Sequence, residues 1–245
     1  MKFKKEIKRF LEENSSEETK KFSEKLVYTN FPIYGVKTPV LRKFAKSFIK
    51  NGATLEDISP DSHEEILLKG LVLAGQRWSD LKVIEEYENF NDNIDNWATC
   101  DTITPSLKQL KTENGRRYFL SLLESDNFYK KRIGIIGLMC HFLDDKNLDE
   151  IISALVSLSK TLSNKTTYSF AGTTNEKIVN LGEYYVKMAI SWYLCTLICK
   201  NYNYGKRALQ KFTDKFIRNK TISKCHDSFR LSPAQKEELK RLRLT

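Results

Sequence analysis

Apolar residues recur three or four positions apart along most of the chain, and the two-residue alternation of strands is scarce, so the pattern predicts helices. The first run, from Phe3 to Asn14, places Phe3, Ile7, Phe10 and Leu11 on one face. A second follows Ser15-Ser16-Glu17-Glu18, an N-cap with early acids, and extends to about Tyr28. The segment from Asn30 to Val36 reads as a loop. Thr38-Pro39 then opens a helix that Asn51-Gly52 closes. Ser62-His63-Glu64-Glu65 opens the next, with Glu65 as the capping-box acid. Further helices are predicted at 79–87, 95–103, 105–111, 113–124, 127–142, 148–159 and 175–200, the last with a break near Gly182. The C-terminal pieces fall at 205–217, 220–226 and 232–242. Ser163 to Thr174, rich in Ser, Thr and Asn, is the clearest loop.

A succession of short helices with tight connections and no composition boundary predicts one all-α domain over 1–245. Exact repeats are absent, but degenerate helix pairs of roughly 40 residues would suit a HEAT-type solenoid, whose stacking gives a concave face. Charge changes this picture. The net charge is +10, and between Lys200 and Thr245 thirteen Lys/Arg stand against four Asp/Glu. A basic surface of that size favours a polyanion. No apolar run reaches the roughly eighteen residues of a membrane span, and the N-terminus has no apolar signal core. The expectation is a cytoplasmic protein.

Five cysteines form no disulfide framework. Cys195 and Cys199, at helical spacing, could join Cys225 and His226 around zinc, but the tight Cys-x-x-Cys pairs of structural sites are missing. They read as reduced thiols that pack as small apolar groups, with no metal. Gly-rich phosphate loops, a Walker lysine and a Rossmann fingerprint are also missing, so no cofactor is expected.

The residues with most chemical content are Asp95-Asn96-Trp97-Ala98-Thr99-Cys100-Asp101. Trp97 and Asp101 are four apart and share a helix face. A flat aromatic surface beside a carboxylate suits a sugar on which positive charge develops. Taken singly, these residues have plainer readings. Trp97 and Trp192 sit among apolar residues and fit a core. Asp101 fits an N-cap or a surface ion pair, and Arg132 a solvated helix face.

In combination the chain resembles the AlkD family of DNA alkylation-repair glycosylases, built of HEAT-like repeats. Four segments carry the resemblance across nearly the whole length. Phe31-Pro32-Ile33-Tyr34-Gly35-Val36-Lys37-Thr38-Pro39 is similar to the family's entry to its third helix. Trp97 to Asp101, continued by Pro105, is the second. In Asn127-Phe128-Tyr129-Lys130-Lys131-Arg132, Arg132 falls on the family's phosphate-contacting arginine. In Lys187-Met188-Ala189-Ile190-Ser191-Trp192, Trp192 falls on the second sugar-contacting tryptophan.

The resemblance implies a right-handed superhelical solenoid with a concave basic face, acting as a monomer on double-stranded DNA. It implies hydrolysis of the N-glycosidic bond of N3- or N7-alkylated purines, without drawing the base into a pocket. Asp101 would be the catalytic carboxylate, and Trp97 and Trp192 the sugar contacts. Arg132, Lys131, Lys130 and Lys37 would hold DNA phosphates. Three positions depart from the pattern: Lys37 stands where characterised members often carry Gln, Leu26 near their Tyr, and Cys195 where they have Arg. A non-catalytic DNA-binding protein on the same scaffold is the alternative, and a protein-interaction scaffold is a third.

Overall fold

In this computed structural model the described residues are 2–144, 146–165 and 174–245, with Lys2 and 174–180 described by backbone alone. They form thirteen α-helices and no strand, in agreement with the all-α expectation. The chain packs as two compact units, residues 1–116 with 171–179, and residues 117–170 with 180–245.

The first unit contains α1 (Lys2–Asn14), α2 (Glu17–Leu26), α3 (Thr38–Lys50), α4 (His63–Gly75), α5 (Asp80–Glu88) and α6 (Trp97–Ile103). α4 is apolar nearly all round and buries Ile66, Leu67, Leu68, Leu71, Val72 and Leu73, as the central helix of a core must. α3 packs against it through Leu41, Ala45 and Phe48, and α1 adds Ile7 and Leu11. Phe10 and Phe44 stack with ring centroids 3.8 Å apart. α6 lies against α4 at Gly70, where a Cβ would come within 2.5 Å of Ile103. Any side chain at Gly70 would push α6 outward.

The loop between α2 and α3 is held by two carboxylates. Glu64 is buried and accepts the backbone N–H groups of Tyr34 (3.0 Å), Gly35 (2.7 Å) and Val36 (3.2 Å). Asp95 accepts from Thr29 Oγ1 (2.8 Å) and the Asn30 N–H (2.7 Å). Gly35, at φ +88°, is required here: a Cβ would stand 2.6 Å from the Ser16 carbonyl and the Lys20 nitrogen.

The second unit starts within α7 (Glu113–Ser121) and contains α8 (Phe128–His141), α9 (Leu148–Thr161), most of α10 (Thr174–Lys200), α11 (Tyr202–Gln210), α12 (Lys215–Asp227) and α13 (Pro233–Lys240). α8 is buried on most sides, and Gly137 lets it approach the Phe119 ring, which a Cβ would meet at 2.4 Å. Lys187 of α10 is fully buried, 2.7 Å from the Asp214 carboxylate, and donates to the carbonyls of Ser163 and Lys165. Asp214 also caps α12 by accepting the Ile217 N–H at 2.8 Å.

Three predicted elements differ. Residues 105–111 form two tight turns, Thr104–Ser106 and Lys108–Leu110, because Leu107 and Leu110 are both buried at the three-residue spacing of a 3-10 helix. The helix predicted at 205–217 ends at Gln210, and α12 starts afresh at Lys215 and continues through 220–226. Phe212 is drawn into the core between them and Asp214 becomes an N-cap. The break near Gly182 does not occur. Glycine is there for packing, since a Cβ would lie 2.6 Å from the Phe128 ring. Of the loop predicted at Ser163 to Thr174, residues 166–173 lie outside the described residues.

Replacing Lys187 by Met keeps the volume but strips Asp214 of its buried partner. We expect a loss of about 3–5 kcal/mol in unfolding free energy by urea denaturation. An unchanged midpoint would mean that the pair contributes nothing net.

Candidate functional site

α6 begins where the two loop-binding carboxylates meet its sequence. Asp95 is committed to the 29–30 backbone, and Asn96 caps the helix by accepting the Thr99 N–H at 3.0 Å. Asp101 is therefore not the cap. Thr99, Cys100 and Ile103 point into the core, while Trp97, Ala98, Asp101 and Thr102 are half-buried and form the outward face. The predicted Trp97–Asp101 pairing on one face is present. Trp97 is fixed by its indole N–H, which donates to the Leu26 carbonyl at 3.1 Å. At the other end of α6, Arg42 donates to Ser106 Oγ (3.0 Å) and the Thr102 carbonyl (3.4 Å), placing a cation at the negative end of the helix.

Trp97 lines an open cavity of about 750 Å³ walled by α2, the start of α3 and the start of α4. Its apolar wall includes Phe22, Leu26 and Leu67, and Lys21, Lys25 and Lys37 stand exposed around it. Phe22 and Leu26 are 64% and 46% exposed, and α2 buries no residue at all. Phe22, Lys21 and Lys25 were not among the residues expected from sequence. Their signal was the i,i+4 apolar pair on α2, whose helical pattern does not say whether that face is covered. His63 closes the back of the cavity, buried, with no partner for Nδ1. Burial holds its pKa below the ordinary imidazole value, against the opposing pull of Glu64 and Asp95, so the ring is neutral.

In the second unit, Trp192 is 38% exposed on α10, whereas its neighbours Ser191, Tyr193 and Leu194 are buried. Neither Trp97 nor Trp192 is a core residue. Arg132 is only 5% exposed and is not a solvated helix residue. Its Nη1 donates to the Tyr185 carbonyl at 2.6 Å, and the guanidinium lies 5.9 Å from the Tyr185 ring centroid. Lys130 and Lys131 beside it are half-buried, with Lys131 Nζ 5.5 Å from the Phe128 ring centroid. Cys195 is buried. Among the described residues no cluster of His, Cys, Asp or Glu could hold a metal ion, and no helix is long and apolar enough to cross a membrane.

His63 generates a pH prediction. Its folded pKa lies below the unfolded value of about 6.5, so the unfolded chain binds more protons as pH falls through 6.5. Stability that is intact above about pH 7 should decline below it. His63→Gln should lose less than the parent between about pH 7.5 and 5.5 in thermal melts. Parallel curves would show that His63 does not titrate there.

A family model described as DNA alkylation repair enzyme matches residues 7–197. No curated protein and no solved structure matches the chain.

Proposed function

The chain belongs to the DNA alkylation repair enzyme family, and we propose that within it this protein is a DNA glycosylase acting on cationic N3- or N7-alkylated purines in duplex DNA. The observation that carries the reading is the outward face of α6, where Trp97 lines an open cavity and Asp101 stands one turn away. Alkylation leaves a positive charge on the base, so the base departs without a general acid. The glycosidic electron pair passes to the base nitrogen and neutralises it. What remains at C1′ is an oxocarbenium-like sugar.

Asp101 is the group that stabilises this cation and orients the water that attacks it. The water oxygen bonds to C1′, its proton is lost through the carboxylate to solvent, and an abasic site results. Trp97 and Trp192 present aromatic faces to the deoxyribose and keep bulk water away, with a cation–π contribution from the charged nucleotide. Lys37, Lys130 and Lys131 contact phosphates. Arg132, turned towards Tyr185, adds positive potential beneath that surface. In this reading the helix pairs stack as a HEAT-like solenoid with a concave basic face, and one copy suffices to hold the duplex.

Asp101→Asn should lower the rate of 7-methylguanine release from duplex DNA by about 10²–10³-fold, with duplex affinity changed only a few-fold. Equal release by parent and variant would remove Asp101 from the mechanism. Affinity should fall steeply with salt, and Lys37→Gln should reduce the slope of log affinity against log salt by about one.

The second reading is a non-catalytic protein that recognises bent, branched or damaged DNA. It is favoured by Lys37, Leu26 and Cys195, which differ from the residues of characterised members. Salt-dependent duplex binding with no base release by the parent chain would establish it.

A further inference from the structure

α10 and α12 run side by side in the same direction through the second unit. Lys187 Nζ meets Asp214 Oδ2 at 2.7 Å, Ser191 Oγ meets the Ile217 carbonyl at 3.3 Å, and Cys199 Sγ meets Ser228 Oγ at 3.4 Å. Following that pairing, Cys195 falls against the last turns of α12, where Cys225 sits. There the Cys225 and Cys199 thiols both face the Cys195 sulfur, near enough for their hydrogen-bonding influence to reach it. All three cysteines are free.

These contacts make the thiols unequal. The hydrogen-bonding influence of Cys225, then that of Cys199 and the charges of Arg230 and Lys224, outweigh burial and hold Cys195 down at about 7. The same interaction pushes Cys225 well up, and burial pushes Cys199 up. Near neutral pH about half of Cys195 is thiolate, faced by two thiols. That is more than the packing role these cysteines suggest as small apolar groups, because the thiolate is the reactive form.

We propose that Cys195 and Cys225 are a hydroperoxide-sensitive disulfide site that covalently joins α10 to α12. The Cys195 thiolate attacks a peroxide oxygen and the O–O bond breaks. The departing hydroxide or alkoxide takes up a proton, leaving Cys195 as a sulfenic acid. Loss of the thiolate charge removes what held the proton on Cys225. The Cys225 sulfur then gives up that proton and displaces the sulfenic hydroxyl, which leaves as water. Two thiols are oxidised, and one hydroperoxide is reduced to water plus water or an alcohol.

Cys225 is the resolving partner rather than Cys199 for a geometric reason. Cys195 and Cys199 are four apart on one helix, where Cβ atoms stand about 5–6 Å apart, and a disulfide needs about 3.5–4.5 Å. Cys225 comes from another helix and has no such restriction. Cys195 and Cys225 are both buried, which disfavours bulky oxidants. Trp192 lies one turn before Cys195 on α10, so the bond would form beneath the helix that carries it.

The test treats the full chain with hydrogen peroxide, alkylates it under denaturing conditions and maps the peptides by mass. The expected result is loss of two thiols per chain and a Cys195–Cys225 linked peptide that dithiothreitol releases. The oxidation rate should rise with pH to a midpoint at about 7. Cys225→Ser should abolish the link and leave Cys195 trapped by a sulfenic-acid probe. Cys140→Ser, which removes an exposed thiol, should change neither. A Cys195–Cys199 bond overturns the proposal, as does oxidation of Cys140 with Cys195 and Cys225 still alkylatable. A midpoint at the ordinary thiol value also overturns it. No readout uses DNA, so the result stands apart from the glycosylase assay, and the parent peptide map decides even if the Ser variant does not fold.

Discussion

Two carboxylates hold the first unit in its working arrangement. Glu64, at the start of α4, gathers three consecutive backbone N–H groups of the 34–36 loop, and Asp95, just before α6, gathers a hydroxyl and an N–H at 29–30. A loop that runs against a core must satisfy its peptide groups. Here charged acceptors satisfy them, and such hydrogen bonds are about twice as strong as neutral ones. The consequence is positional. The end of α2 and the start of α3 are registered to α4 and α6, and the Leu26 carbonyl is in place to receive the Trp97 indole N–H. The cavity beside Trp97 follows from that registration.

The second unit uses buried charge in a related way. Lys187 satisfies the Asp214 carboxylate and two loop carbonyls at once, and Asp214 in turn starts α12. The arrangement fixes the α10–α12 contact, on which the three-thiol cluster depends. Arg132 serves similarly between α8 and α10, where its guanidinium meets the Tyr185 carbonyl. A residue expected at a phosphate thus has a packing role as well, and the half-buried Lys130 and Lys131 are more accessible than it is.

Much of the helix plan was legible because its signals are local. Ser16, Ser62, Ser79 and Ser232 are side-chain caps where the pattern placed helix starts, and Gly52 takes the positive φ expected after α3. The misreadings at 105–111, Gly182 and 205–217 share a cause. In each, burial of Leu107, Leu110 and Phe212, or the contact of Gly182 with Phe128, outweighed local propensity. The candidate site was legible along α6, where i,i+4 spacing alone pairs Trp97 with Asp101. Phe22, Lys21, Lys25 and His63 were not, since their relevance comes from a cavity formed by segments distant in sequence.

The sequence by itself determined the all-α class, the order of the helices, the family and the Trp97–Asp101 face, because caps, 3.6-residue periodicity and short motifs act over a few residues. Only tertiary structure decided which tryptophans stay accessible, that Arg132 is buried, that the apolar stripe of α2 lines an open cavity, and that Cys195 meets Cys225. Each of those depends on which helices pack together. That is set by the fit of side chains across the core and by buried acceptors such as Glu64 and Asp95, and periodicity carries no record of either.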